Sequence, residues 1–103
     1  MKIIRVTYTV KPEYVSQNQS NIQQVMQDLK ALNQPNAKYA SYLEEDGVTF
    51  MHFAQYPDEA TSKLLNELPS FAKFRTELKA SEPVSPPKAM NLSLVGAAFD
   101  IFN

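Results

Sequence analysis

Apolar and polar positions follow two periods along the chain, and the switches between them outline the elements. Ile3 to Val10 alternates, with Ile4, Val6, Tyr8 and Val10 on one side and Ile3, Arg5, Thr7 and Thr9 on the other; Lys11-Pro12 ends this first predicted strand. Ile22, Val25, Met26, Leu29 and Leu32 then recur at spacings of three and four, which predicts a helix whose Gln, Asn, Asp and Lys residues face solvent. Pro35 stops it, and Asn33 or Asn36 suits the exit turn. Lys38 to Glu45 and Val48 to Tyr56 read as two strands around Asp46-Gly47, a strong hairpin signal. A two-residue turn there places Leu43 opposite Phe50, Ser41 opposite His52 and Tyr39 opposite Ala54.

Asp58 is placed to cap a further helix, with Glu59 in its first turn and Leu64, Leu65 and Leu68 as an apolar cluster. Pro69 breaks that helix, and Ser70 is placed to cap a continuation carrying Phe71, Phe74 and Leu78. Ser81 to Lys88, with three prolines, reads as irregular, and Met90 to Phe102 as a last strand bulged near Gly96. The order strand, helix, strand, strand, helix, strand predicts one α+β domain over 1–103. Its form is a ferredoxin-like βαββαβ sandwich, a four-stranded antiparallel sheet with two helices on one face.

The strand from Val48 carries large groups on both sides: Val48, Phe50, His52, Ala54 and Tyr56 on one, Thr49, Met51, Phe53 and Gln55 on the other. A sheet with helices on one face normally keeps its other face polar. The expected cover for the second face is another copy of the chain, so a homodimer through paired sheets is predicted.

Bulk composition narrows the functional classes. The 103 residues are 44% apolar and 20% charged, with ten basic and eleven acidic side chains that nearly cancel. No basic cluster offers a phosphate-neutralising surface, so nucleic-acid binding is not expected. There is no cysteine, which removes disulfide and thiolate chemistry. The first residues lack the apolar core of a signal peptide, and no run approaches the roughly 20 residues of a membrane span. A cytoplasmic location, without membrane attachment, is the expectation.

Val48-Thr49-Phe50-Met51-His52-Phe53 after Asp46-Gly47, Leu68-Pro69-Ser70-Phe71-Ala72-Lys73-Phe74, Pro86-Pro87 and Leu92-Ser93-Leu94-Val95-Gly96 together resemble the dimeric α+β-barrel proteins of the antibiotic-biosynthesis-monooxygenase-like superfamily. The resemblance spans nearly the whole chain and rests on structural motifs. It implies a homodimer whose sheets close into a barrel, with a pocket in each subunit between sheet and helices. Some members oxidise anthrones or quinols with molecular oxygen and neither metal nor flavin. Others degrade haem, isomerise lactones or have no known activity. The haem-degrading branch pairs an asparagine, a histidine and a tryptophan, and this chain has no tryptophan.

His52, the single histidine, is the candidate catalytic base, since a neutral imidazole can take a proton from a phenolic substrate. The alternative is a packed histidine bonded to Ser41, a tyrosine or the main chain. As a metal ligand it has no partner at a recognisable spacing, so no metal is expected. Tyr39 shares its face, Tyr8 lies with Ile4 and Val6 on the face of the first strand taken as helix-covered, and both are candidates for orienting a hydroxylated ring, or else half-buried core residues. Phe50 beside it, and Phe71 and Phe74 on the second helix, are candidate contacts for a flat ligand or simply packing residues. Two functions follow: a cofactor-independent monooxygenase acting on a small aromatic or quinol-type substrate, or a non-catalytic binding or structural module. An open cavity around His52 favours the first, and a filled interior the second.

Overall fold

A computed structural model describes residues 1–100. The elements are β1 (Lys2–Thr9), a 3-10 turn at Pro12–Tyr14, α1 (Val15–Ala31), β2 (Lys38–Leu43), β3 (Thr49–Tyr56), α2 (Glu59–Asn66), α3 (Pro69–Ala80) and β4 (Ser85–Asn91). The four strands form one antiparallel sheet in the order β2-β3-β1-β4, so the α+β reading holds. The apolar stripes of α1, α2 and α3 meet the face that carries Tyr8, Phe50, Ala54 and Tyr56, with Ile22, Val25, Leu65 and Leu78 completing the core. Strand alternation alone leaves open which face the helices cover, and this is the face they take.

The β2–β3 register is the predicted one: Leu43 faces Phe50, Ser41 faces His52 and Tyr39 faces Ala54. The turn is wider than predicted, however. A two-residue turn of that type needs positive φ at both central positions, and here only Gly47 has it, at 78°. The Glu44 N–H donates to the Thr49 carbonyl at 2.8 Å and the Gly47 N–H to Glu44 at 3.0 Å, which leaves a four-residue loop. The Asp46 carboxylate holds it by accepting from the N–H groups of Val48 (3.0 Å) and Thr49 (2.9 Å). Widening the loop by one residue on each side leaves the strand pairing unchanged.

Helix ends follow local chemistry. Asn33 leaves α1 with φ of 53°, a left-handed conformation that asparagine tolerates. Asp58 caps α2 through Thr61 N–H at 2.8 Å, and Leu65 is buried while Leu64 is exposed. Pro69 separates α2 from α3, as expected, but the capping position belongs to Leu68 rather than Ser70. Proline at the first helical position loses no hydrogen bond, because that N–H has no partner within the helix.

The last strand lies earlier than predicted. Ser85–Asn91 pairs with β1, and residues 92–97 form no regular element; residues 101 and 102 of the predicted strand lie outside the described residues. Prolines read as loop signals, yet β4 is an edge strand, where a missing donor is tolerated. Thr7 pairs with Lys88 and Thr9 with Ser85, so Pro86 and Pro87 together oppose Tyr8. This is the bulge; none lies at Gly96.

Candidate active site

Two central-strand positions, one edge-strand position and one helix position bring the polar groups together. Tyr8 on β1 and His52 on β3 point to the helix side, and Tyr39 enters from β2. The Tyr8 hydroxyl lies 2.7 Å from His52 Nε2, and the Tyr39 hydroxyl 2.8 Å from Nδ1. Asn18, fully buried on α1, donates its Nδ2–H to the Tyr8 hydroxyl at 2.8 Å. The result is a chain, Asn18–Tyr8–His52–Tyr39, in a buried apolar setting. The Phe74 ring stands 5.5 Å from the imidazole and tilts across it.

Burial sets the protonation state. Loss of solvation pushes the His52 pKa down from 6.5 to about 4, so the imidazole is neutral at neutral pH. The same loss pushes the Tyr8 and Tyr39 hydroxyls well above the usual tyrosine range. A neutral imidazole has one N–H and one bare nitrogen. The arrangement that satisfies the chain has Asn18 donating to Tyr8, Tyr8 donating to a bare Nε2, and Nδ1–H donating to Tyr39. The opposite tautomer leaves the Tyr8 proton without an acceptor among the described residues at a position 2% exposed, a costly arrangement. In the favoured arrangement the Tyr39 proton is free to turn into the adjoining cavity.

That cavity has a volume of about 530 Å³. Val6, Tyr8, Tyr39 and His52 form its sheet wall; Phe71, Phe74, Arg75, Leu78 and Lys79 form its helix wall. Pro83, Pro86 and Pro87 complete the lining. Its size is in the range of pockets that enclose drug-sized molecules, about 300–1,000 Å³. His52 is only 3% exposed, so its reactive surroundings are this cavity and the tyrosines.

Of the five candidate ligand contacts, four line this cavity together with His52: Tyr8, Tyr39, Phe71 and Phe74. Phe50 does not. It faces Tyr8 across the β1–β3 ladder, stacks on that ring at 5.6 Å and lies in the core beneath α1, away from the cavity. Two strand positions separate it from His52, enough to carry it behind Tyr8. Asn18 precedes the predicted stripe of α1 and is buried, as is Asn21, which donates to Glu77 at 2.9 Å. Asn18 stands four residues before Ile22, and that spacing alone continues the buried stripe. Arg75, four residues after Phe71, carries a similar signal: its guanidinium carbon sits 4.8 Å from the centre of the Phe71 ring.

Among the described residues no group of three or more histidine, cysteine, aspartate or glutamate side chains is arranged to hold a metal ion. No helix among them is long and apolar enough to cross a membrane.

Comparison with solved structures places this architecture. An antibiotic biosynthesis monooxygenase superposes with a TM-score of 0.74 over 93% of this chain and 100% of its own, at 13% identity. A Mycobacterium tuberculosis protein gives 0.77 over 95% and 98%, at 14% identity. A variant of SnoaB from Streptomyces nogalater, a cofactor-independent oxygenase, gives 0.67 over 96% and 98%, at 16% identity. The chain therefore has the ferredoxin-like α+β fold of the antibiotic biosynthesis monooxygenases. Neither a scan against protein-family models nor a search of curated proteins gives a match.

Proposed function

We propose that the protein is a cofactor-independent monooxygenase of small aromatic or quinol-type substrates. The observation that carries this reading is the open apolar cavity onto which a neutral imidazole and two tyrosines converge. The fold it shares with a cofactor-independent oxygenase supports it.

The substrate hydroxyl bonds to the Tyr8 oxygen, which has one lone pair left after accepting from Asn18. As that proton moves to Tyr8, the Tyr8 proton moves to His52 Nε2, leaving a substrate anion and an imidazolium. Tyr39 donates its free proton to a second oxygen of the ring system and fixes its orientation. Burial disfavours the imidazolium by about 3 kcal/mol relative to water, and the adjacent anion offsets this. Transfer is thus tied to an occupied pocket.

The electron-rich anion gives two electrons to dioxygen and forms a carbon–oxygen bond. The resulting peroxide takes the proton from His52. Loss of water from the hydroperoxide leaves a carbonyl, so one oxygen atom ends in product and the other in water. The protein contributes positioning and deprotonation in a water-poor site.

Oxygen uptake with anthrone or a naphthoquinol tests the reading. Wild-type protein is expected to turn over, and His52→Ala to lose at least a hundredfold in kcat while keeping its circular dichroism. Full activity in His52→Ala removes His52 from the mechanism. The working unit is a homodimer formed through the open sheet face, where Met51, Phe53 and Met90 lie.

A further inference from the structure

The cavity is apolar within and cationic at its rim. Arg75 and Lys79 are one turn apart on α3, both line the cavity and both are exposed. No acidic side chain lines it. The ion pairs of the described residues are Lys2–Glu59, Lys11–Glu82 and Lys63–Glu67, so neither rim cation is matched by a carboxylate. The positive rim is not a by-product of a basic protein, because the chain as a whole carries a net charge of −1. The Arg75 guanidinium is also steadied over Phe71, which reduces the freedom lost when its fork engages a planar anion.

From this we infer that the natural ligand is an aromatic acid: a flat hydroxylated ring system bearing a carboxylate on the edge away from the reacting hydroxyl. The ring lies between Phe74 and Val6, the hydroxyl reaches Tyr8, and the carboxylate meets Arg75 in a two-point contact with Lys79 beside it. Arginine is suited to that role because its planar donors match a carboxylate. The inference rests on the proposed site but concerns recognition, not chemistry.

Binding of 6-hydroxy-2-naphthoate and of uncharged 2-naphthol, measured by fluorescence titration at low ionic strength, separates the two. Wild-type protein is expected to bind the carboxylate at least tenfold more tightly than the neutral ring. Arg75→Gln removes most of that preference while leaving 2-naphthol affinity within twofold, and Arg75→Lys restores part of it. Lys79→Gln has a smaller effect in the same direction. Lys73→Gln, which removes an exposed charge from α3 away from the cavity, changes neither ligand. Equal wild-type affinity for the two compounds overturns the inference and leaves the cavity reading intact, as does equal weakening of both by Arg75→Gln. Failure of both to bind wild-type protein overturns the inference and the proposed site together. A preserved charge preference without oxygen uptake from any phenol supports the inference and rejects the oxygenase.

Discussion

The two faces of the sheet have similar apolar content and opposite organisation. On the helix side, Tyr8, His52 and Tyr39 are locked by hydrogen bonds and ring contacts, and what they enclose is a cavity. On the other side, Tyr42 pairs across the strands with Met51, Phe53 with Arg5, and Arg5 with Met90, giving a broad patch whose side-chain hydrogen bonds, Thr9 with Thr49 and Thr49 with Asp46, sit at its hairpin end. Tyr42 and Met90 are exposed there, whereas Met51 and Phe53 are half-buried. Apolar surface alone therefore does not distinguish the proposed binding site from the proposed interface. The difference lies in whether polar groups with fixed partners are embedded in it.

The contrast is broken most severely on the helix side. Phe74→Ala removes a ring that touches His52, Tyr8 and Phe71, and is expected to cost about 3–5 kcal/mol in urea denaturation. A loss below 1 kcal/mol would mean that this wall is not load-carrying. Acid comes next. Folding holds the His52 pKa at about 4 against 6.5 in the unfolded chain, so between those values the unfolded chain binds a proton that the native state does not. Stability is complete above pH 6.5 and falls by about 3 kcal/mol as pH drops to 4. Because the chain has a single histidine, His52→Gln is expected to flatten this dependence in denaturation curves recorded at pH 7 and 4.5. On the open face, Phe53→Lys is expected to change the stability of the isolated subunit by about 1 kcal/mol or less. Its effect appears in sedimentation, as a shift from dimer to monomer; a wild-type protein that sediments as a monomer at micromolar concentration defeats the interface.

Much of the fold was legible because strand alternation is a local signal. The face shared by Phe50, His52 and Ala54, and the pairing of Ser41 with His52, follow from period two and a short turn. The misplaced β4 shows where local signals mislead: two prolines argue against a central strand, and nothing nearby announces that this strand sits at an edge. The site was legible to the extent that its groups share a strand face. Phe50 lies outside the cavity because a shared face does not specify depth under the helices. Asn18 went unnoticed because asparagine on a helix is ordinarily solvated, and only the distant Tyr8 makes its burial favourable. The cationic rim depends on how α3 lies against β1 and β4, which no residue spacing reports.

The prolines Pro83, Pro86 and Pro87 along the cavity have a consequence for the proposed site. Proline rings have almost no rotamers to explore, and their φ angles are fixed before anything binds. Lining of that kind has few rotamers to lose when a molecule packs against it. On the proposed reading, a ligand that fits this lining loses little affinity to side-chain reorganisation there, as in a mould rather than a glove.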